Sequence, residues 1–387
     1  MRHKGSGVGG FACAVVLAAL PAILGSQSAS VESKVDAVFA KWSSGTPGCA
    51  VGVSTGGVPV LAKGYGMADL EHDVRISPES ILEAGSVSKQ FTAAAVMLLA
   101  RDGKLSLDDQ ARTYIPELPD YLVPSEVTAP AVGDTASKPQ GAKAGGLSLT
   151  IRHMLNHTSG LRDWGSVAAI AGWPRTTRVH THAHVLQIVG RQRQLNFTPG
   201  TRWSYSNTGF NLAAIVVERV SGMSFQEFTR TRLFQPLGMT HTSWRDDYTR
   251  ILKGRALAYG ERDGTFHTDM PFENVYGNGG LLTTVGDLLK WNEHYDTPAP
   301  GDAAMIVNSR RRGTSTTDAR MATGWASSSV GTKGSTRSIT ADRPRDTAPS
   351  SRVSRSSGCR SRYSVTPPAR RRRSTRTPWR ISISAIG

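Results

Sequence analysis

Apolar residues recur at helical spacing in several stretches of this chain. Val35, Val38 and Phe39 mark a helix over Val31 to Trp42. Phe91, Ala94, Ala95, Met97, Leu98 and Leu99 mark a second from Gln90, closed by Gly103. Val185, Leu186 and Val189 open another, and Phe210 to Val220 and Val285 to Trp291 give two more. Two stretches follow the strand pattern instead. Gly48 to Ser54 and Val58 to Gly64 flank Thr55-Gly56-Gly57, which predicts a hairpin. Leu147 to Leu161 predicts a helix closed by Gly160.

Other segments carry no period. The first 30 residues join basic Arg2, His3 and Lys4 to an apolar run from Phe11 to Leu24, with small Ser28-Ala29-Ser30 behind it. That order predicts a secretory signal and an exported, periplasmic or secreted product. The apolar run is short for a membrane span, and no later stretch is long enough for a stable one. Residues 127–146 are mostly Ala, Gly, Ser, Thr, Pro and Lys without periodicity, the composition of a flexible insertion.

Charge divides the chain again. Residues 1–308 hold 28 Lys and Arg against 27 Asp and Glu, whereas 309–387 hold 18 against 3. The net charge of +16 is therefore the property of a tail, not of the body. The tail lacks the interleaved aromatics of a nucleic-acid arm, so no nucleic-acid partner is expected. The chain thus divides into a leader over 1–30, a body over 31–308 and a basic tail over 309–387.

Candidate chemistry lies in the body. Ser86 precedes Lys89 by three residues at the start of the second helix. At that spacing both side chains share a face, near the positive end of the helix dipole. A serine nucleophile needs such an amine and such donors. Tyr205 and Asn207 lie two apart on an aromatic loop, where a phenol could shuttle protons and an amide could orient substrate or Lys89. Gly279 and Gly280 belong to a glycine-rich turn before the last helix, a candidate pocket wall without the G-K-[ST] of a phosphate loop. Gly52-Val53-Ser54-Thr55-Gly56 spells the nucleophile-elbow pattern, but a strand follows where that motif needs a helix. His180, His182 and His184 invite a metal reading. They stand at a helix entrance without further ligands in series, which predicts surface residues and no metal site. No C-x-x-C is present.

Together these phrases resemble the serine β-lactamase-related family, which includes class C β-lactamases, D-alanyl-D-alanine carboxypeptidases, D-aminopeptidases and esterases. Ser86-x-x-Lys89 matches its first motif and Tyr205-Ser206-Asn207 its second. Leu155 to Leu161, Phe197 to Asn207 and Gly277 to Thr284 match its flanking phrases. The resemblance implies an α+β fold: an antiparallel sheet flanked by helices, plus a mostly helical subdomain, with the site between them. It implies that Ser86 forms an acyl-enzyme, that Lys89 and Tyr205 manage the protons, and that Asn207 positions substrate. No metal or organic cofactor is implied. The substrate is a small molecule or a peptidoglycan-like one: a β-lactam, a D-amino-acid peptide or an ester. The alternative is a non-catalytic penicillin- or peptidoglycan-binding protein. Oligomeric state is not legible.

The family's third motif, H-x-G or K-T-G, has no clear counterpart. Lys333-Gly334 lacks the Thr and a strand pattern around it. Read one frame away, however, Ile339 to Arg352 decodes to H-G-G-S-T-A-G-Y-R-A-F-L-T. Thr316 to Ala326 decodes to D-G-R-A-H-G-Y-G-L-G. One shift between about Asp302 and Thr314 fits both. The expectation is a body whose C-terminal strands are missing and whose catalysis is impaired.

Overall fold

Residues 31–55, 57–121, 148–174, 178–270 and 273–296 are described by the computed structural model. The leader, the insertion at 127–146, Lys333-Gly334 and the tail over 309–387 lie outside those residues. In chain order the elements are helix α1 (31–39) and strands β1 (Cys49–Thr55), β2 (Val58–Tyr65), β3 (Met67–Asp69), β4 (Val74–Arg75) and β5 (Leu82–Glu83). Helices α2 (Ser88–Arg101), α3 (Ala111–Tyr114), α4 (Ile151–Leu155) and α5 (Trp164–Ile170) follow. Next come β6 (His180–Thr181), α6 (His182–Gly190), α7 (Thr208–Ser221) and α8 (Phe225–Thr229). Last are β7 (Ser243–Trp244), β8 (Tyr259–Arg262), β9 (Thr265–Thr268), β10 (Glu273–Asn274), β11 (Leu281–Thr283) and α9 (Val285–Asp296).

The hairpin forms as its pattern predicts. β1 and β2 pair antiparallel from Cys49 opposite Tyr65 to Thr55 opposite Val58, with a bulge at Val53 and Ser54. Alternation then decides the layers. Cys49, Val51 and Val53 pack with Val35 and Phe39 of α1. On the other face, a Cβ at Gly52 would sit 3.0 Å from Leu289, so α9 approaches the strand there. Helices thus flank the hairpin on both faces.

The second layer is helical. Phe91 to Leu99 of α2 are buried without a gap, and so are Thr208 to Val217 of α7. A helix apolar on every side belongs at a centre, not at a surface. α2 and α7 share one large core with residues of α4, α5, α6 and α8. A short three-stranded sheet joins the layers. β11 pairs antiparallel with β5, Leu282 opposite Glu83, and with β7, Leu281 opposite Trp244. This is an α+β arrangement, with a mostly helical second layer.

One expected helix is shorter than its pattern. α4 stops at Leu155 and does not run to Gly160. His157 takes a left-handed φ of 59°, which no helix accommodates. The Thr158 amide closes the turn by donating to the His153 carbonyl at 3.0 Å. Gly160 has φ 72°, and a Cβ there would lie 2.3 Å from the Phe197 carbonyl. The chain turns twice to lay residues 157–160 against the loop before α7.

Candidate active site

β5 delivers the chain to the turn that carries Ser86. The Ala84 amide donates to the Leu281 carbonyl at 2.7 Å, which fixes the end of β5 to β11. Gly85 then takes φ 50°, a conformation that favours glycine. A 3₁₀ turn over Gly85–Val87 runs into α2. Ser88 ties this turn down: its hydroxyl donates to the Gly85 carbonyl at 2.6 Å and accepts from the Leu281 amide at 3.1 Å. Ser86 stands exposed at the helix start, and Lys89 lies one turn below with only 4% of its surface exposed.

Four groups meet around Lys89. Its Nζ lies 3.3 Å from Ser86 Oγ, 2.8 Å from Asn207 Oδ1 and 2.6 Å from the Asn278 carbonyl. Tyr205 Oη completes the set, 2.6 Å from Ser86 Oγ. Nζ also lies 4.8 Å from the centre of the Tyr205 ring and 5.6 Å from that of Phe210. Two of the Nζ partners are carbonyl oxygens, which only accept. Two of its hydrogens are therefore committed, and its remaining position faces Ser86. An ammonium would donate there, and a neutral amine would accept the serine proton there. Both satisfy the geometry, and Ser86 Oγ lies within hydrogen-bond reach of both Lys89 and Tyr205.

A second layer holds these groups, and spacing alone did not reveal it. Asp163 Oδ2 accepts from the Asn207 amide at 2.8 Å and from Asn207 Nδ2 at 2.9 Å. Buried Asn211 of α7 accepts from Trp164 Nε1 at 2.9 Å and donates to Asn278 Oδ1 at 2.7 Å. His157 lies against the Tyr205 ring with centroids 4.5 Å apart, and its Nδ1 accepts from the Ser206 amide at 3.2 Å. Burial, and then the Lys89 charge, push the His157 imidazole down to about 4. Arg245, 1% exposed, pairs with Glu83 at 3.0 Å and Glu273 at 3.4 Å beneath the turn. His157 and Asn278 do lie inside the quoted phrases, but a phrase does not say which way a side chain faces.

The glycines play unequal parts. A Cβ on Gly279 would sit 3.8 Å from the Gly85 carbonyl, so Gly279 borders the serine turn. Gly280 turns away: its carbonyl accepts from the Arg245 amide at 2.7 Å. The atom this loop brings to Lys89 is the Asn278 carbonyl.

His180 is not a surface residue, which corrects the expectation from sequence, and His182 and His184 are half-buried. His180 is fully buried, with its ring 5.2 Å from that of Trp164. His182 Nε2 meets the Tyr276 carbonyl at 3.1 Å, and burial lowers its pKa. His184 Nδ1 accepts from the Thr181 amide at 3.1 Å and caps α6. Trp164 lies against the His180 ring and Tyr276 against that of His182. Among the described residues, Asp69, Glu71 and His72 have possible ligand atoms within 4.8 Å of one another. That set sits on an exposed turn where His72 Nδ1 already pairs with Asp69 at 2.8 Å.

The family model described as Beta-lactamase matches residues 30–346. Penicillin-binding protein 4* of Bacillus subtilis (strain 168) is 31% identical over 255 residues, covering 62% of this chain and 50% of that protein. A D-aminopeptidase of Gluconobacter oxydans (strain 621H) is 27% identical over 70% of this chain and 46% of its own length. The chain spans about half the length of these curated relatives. Among solved structures, the octameric penicillin-binding protein homologue from Pyrococcus abyssi superposes with TM-score 0.57 at 25% identity. It covers 73% of this chain and 59% of its own. EstCE1, a hydrolase with promiscuous acyltransferase activity, shares the fold with TM-score 0.59 at 20% identity, over 76% and 79% of the two chains.

Proposed function

Because the chain belongs to the beta-lactamase family of serine hydrolases, we propose that it forms an acyl-enzyme through Ser86. The observation that carries this reading is the meeting of the Tyr205 phenol at 2.6 Å and the Lys89 amine at 3.3 Å on one hydroxyl. Ser86 Oγ attacks a carbonyl carbon, and its proton passes to the Lys89–Tyr205 unit. The Ser86 amide, which has no acceptor among the described residues, supplies one donor to the oxyanion. The same unit returns the proton to the leaving group. Water then takes the place of the serine, with Lys89–Tyr205 as base. The substrate is a β-lactam, a D-amino-acid peptide or an ester. Asn207 positions it and Gly279 borders it; Gly280 takes no direct part.

We place the hydrolase domain at 31–308 and regard the product as exported, on the order of parts in the first 30 residues. Among the described residues, no helix is long and apolar enough to cross a membrane. Turnover is impaired in this reading, because the sequence after Gly280 contains no H-x-G and no K-T-G. Losing one oxyanion donor costs on the order of 100- to 1,000-fold in rate. That same absence favours a second reading, a non-catalytic penicillin-binding protein.

A time course with a fluorescent penicillin, run beside nitrocefin and p-nitrophenyl acetate hydrolysis, separates these. Slow turnover lost in Ser86→Ala supports an impaired hydrolase. A stable label without turnover supports the binder. Rates typical of ordinary enzymes, lost in Ser86→Ala, contradict impairment. No label and no hydrolysis contradict both readings. Sequencing the gene around codons 302–345 tests the frame.

A further inference from the structure

We propose that Asp163 is a positioning residue that holds Asn207 with its carbonyl oxygen toward Lys89, in a fixed carboxylate–amide–amine series. The proposal rests on the role given to Lys89 above.

A side-chain amide has two nearly identical ends, and chemistry decides which faces which group. A carboxylate only accepts hydrogen bonds. Asp163 Oδ2 lies 2.9 Å from one end of the Asn207 amide, so that end is the NH₂. The other end is then the oxygen, 2.8 Å from Lys89 Nζ. Without Asp163 only the Lys89 contact itself selects the oxygen end, and a half-turn of the amide would set donor against donor there. The same Oδ2 also accepts from the Asn207 backbone amide at 2.8 Å, so residue 207 is held at two points.

Asp163 has a separate structural duty. Its Oδ1 accepts from the Ser166 amide at 3.1 Å and caps α5. One carboxylate therefore fastens the start of α5 and the residue before α7 together. The test must separate these duties. Asp163→Ser keeps a capping hydroxyl but removes the acceptor for Asn207. Asp163→Asn keeps the shape and is measured beside it.

The arrangement resembles the use of a carboxylate to orient the base in a Ser-His-Asp triad. Here no proton moves to the carboxylate. An amide stands between anion and amine and passes on orientation only. Tyr205 and His157 are titratable side chains set against Lys89.

The full chain, labelled with ¹³Cε-lysine, is titrated by NMR, with Lys89 assigned from Lys89→Met. Asp163→Ser is expected to lower the Lys89 midpoint by about one pH unit, since an acceptor for its charged form is lost. In an Asn207→Ala background the same substitution is expected to move it by less than about a third of that. An equal shift in both backgrounds, or none in the first, overturns the proposal. Where turnover is measurable, Asp163→Ser is expected to lower kcat about tenfold with KM within about twofold. An α5 cap alone predicts an unchanged midpoint and kcat. A chain that proves inactive removes the hydrolase reading, yet the Lys89 titration still decides this one.

Discussion

Two stretches of this chain advertise chemistry, and the structure treats them differently. Ser86-x-x-Lys89 leads to a half-open polar centre, with its nucleophile candidate exposed and its amine buried. His180-x-His182-x-His184 leads to a packed joint between β6, α6 and the Tyr276 loop. Both are clusters of reactive side chains at a helix start. What separates them is where the free valences point. Ser86 Oγ faces both a phenol and an amine and lies at the surface. His182 Nε2 and His184 Nδ1 face backbone groups and are used up there. A motif becomes a site only when the fold leaves one of its atoms uncommitted.

Substitutions can break that contrast. Ser86→Ala or Lys89→Ala should reduce acylation and any hydrolysis by about 10⁴-fold or more. His182→Ala and His184→Ala should leave the rate within about threefold, measured with the same ester. If a histidine variant lost as much as the lysine variant, the distinction would be false.

Stability should show the opposite order. His180→Ala opens a hole beside Trp164 and is expected to cost about 3 kcal/mol by urea unfolding. Ser86 is exposed, and Ser86→Ala should cost well under about 1 kcal/mol.

His157 belongs to the polar centre and adds a pH signature. Its folded pKa of about 4 lies below the ordinary 6.5, so the unfolded chain takes up that proton first. Its contribution is present above pH 6.5 and is lost as pH falls toward 4. The loss amounts to about 3 kcal/mol over that window. His157→Asn tolerates the left-handed backbone and keeps an acceptor for Ser206. It should flatten stability between pH 6.5 and 4. An unchanged slope would mean that another group causes the acid sensitivity. A smaller effect than that of His157 belongs to His184. His184→Ala should cost about 1 kcal/mol of thermal stability, and His184→Gln should recover most of it as a capping-box residue.

Much of this was legible in sequence because it rests on local rules. The hairpin over Cys49 to Tyr65 follows from alternation and two glycines. Helices α2 and α7 follow from apolar spacing, and Ser86 over Lys89 follows from the pitch. Contacts made across long loops were not legible. Asp163 reaches Asn207 from 44 residues away, and Asn278 reaches Lys89 across 189. No period or spacing encodes such a pair. His180 defied its place at a helix entrance, which suggested a surface, because Trp164 offers a ring to bury it against. α4 was overextended because a left-handed histidine leaves no mark in an apolar pattern.

The central claim is that Ser86 is the residue that becomes acylated. Intact-protein mass spectrometry after exposure to a penicillin, followed by peptide mapping, tests it most directly. The account predicts one adduct, on the peptide carrying Ser86, which is absent in Ser86→Ala and at least about tenfold slower in Tyr205→Phe. An adduct on any other residue, or one that persists in Ser86→Ala, would contradict it.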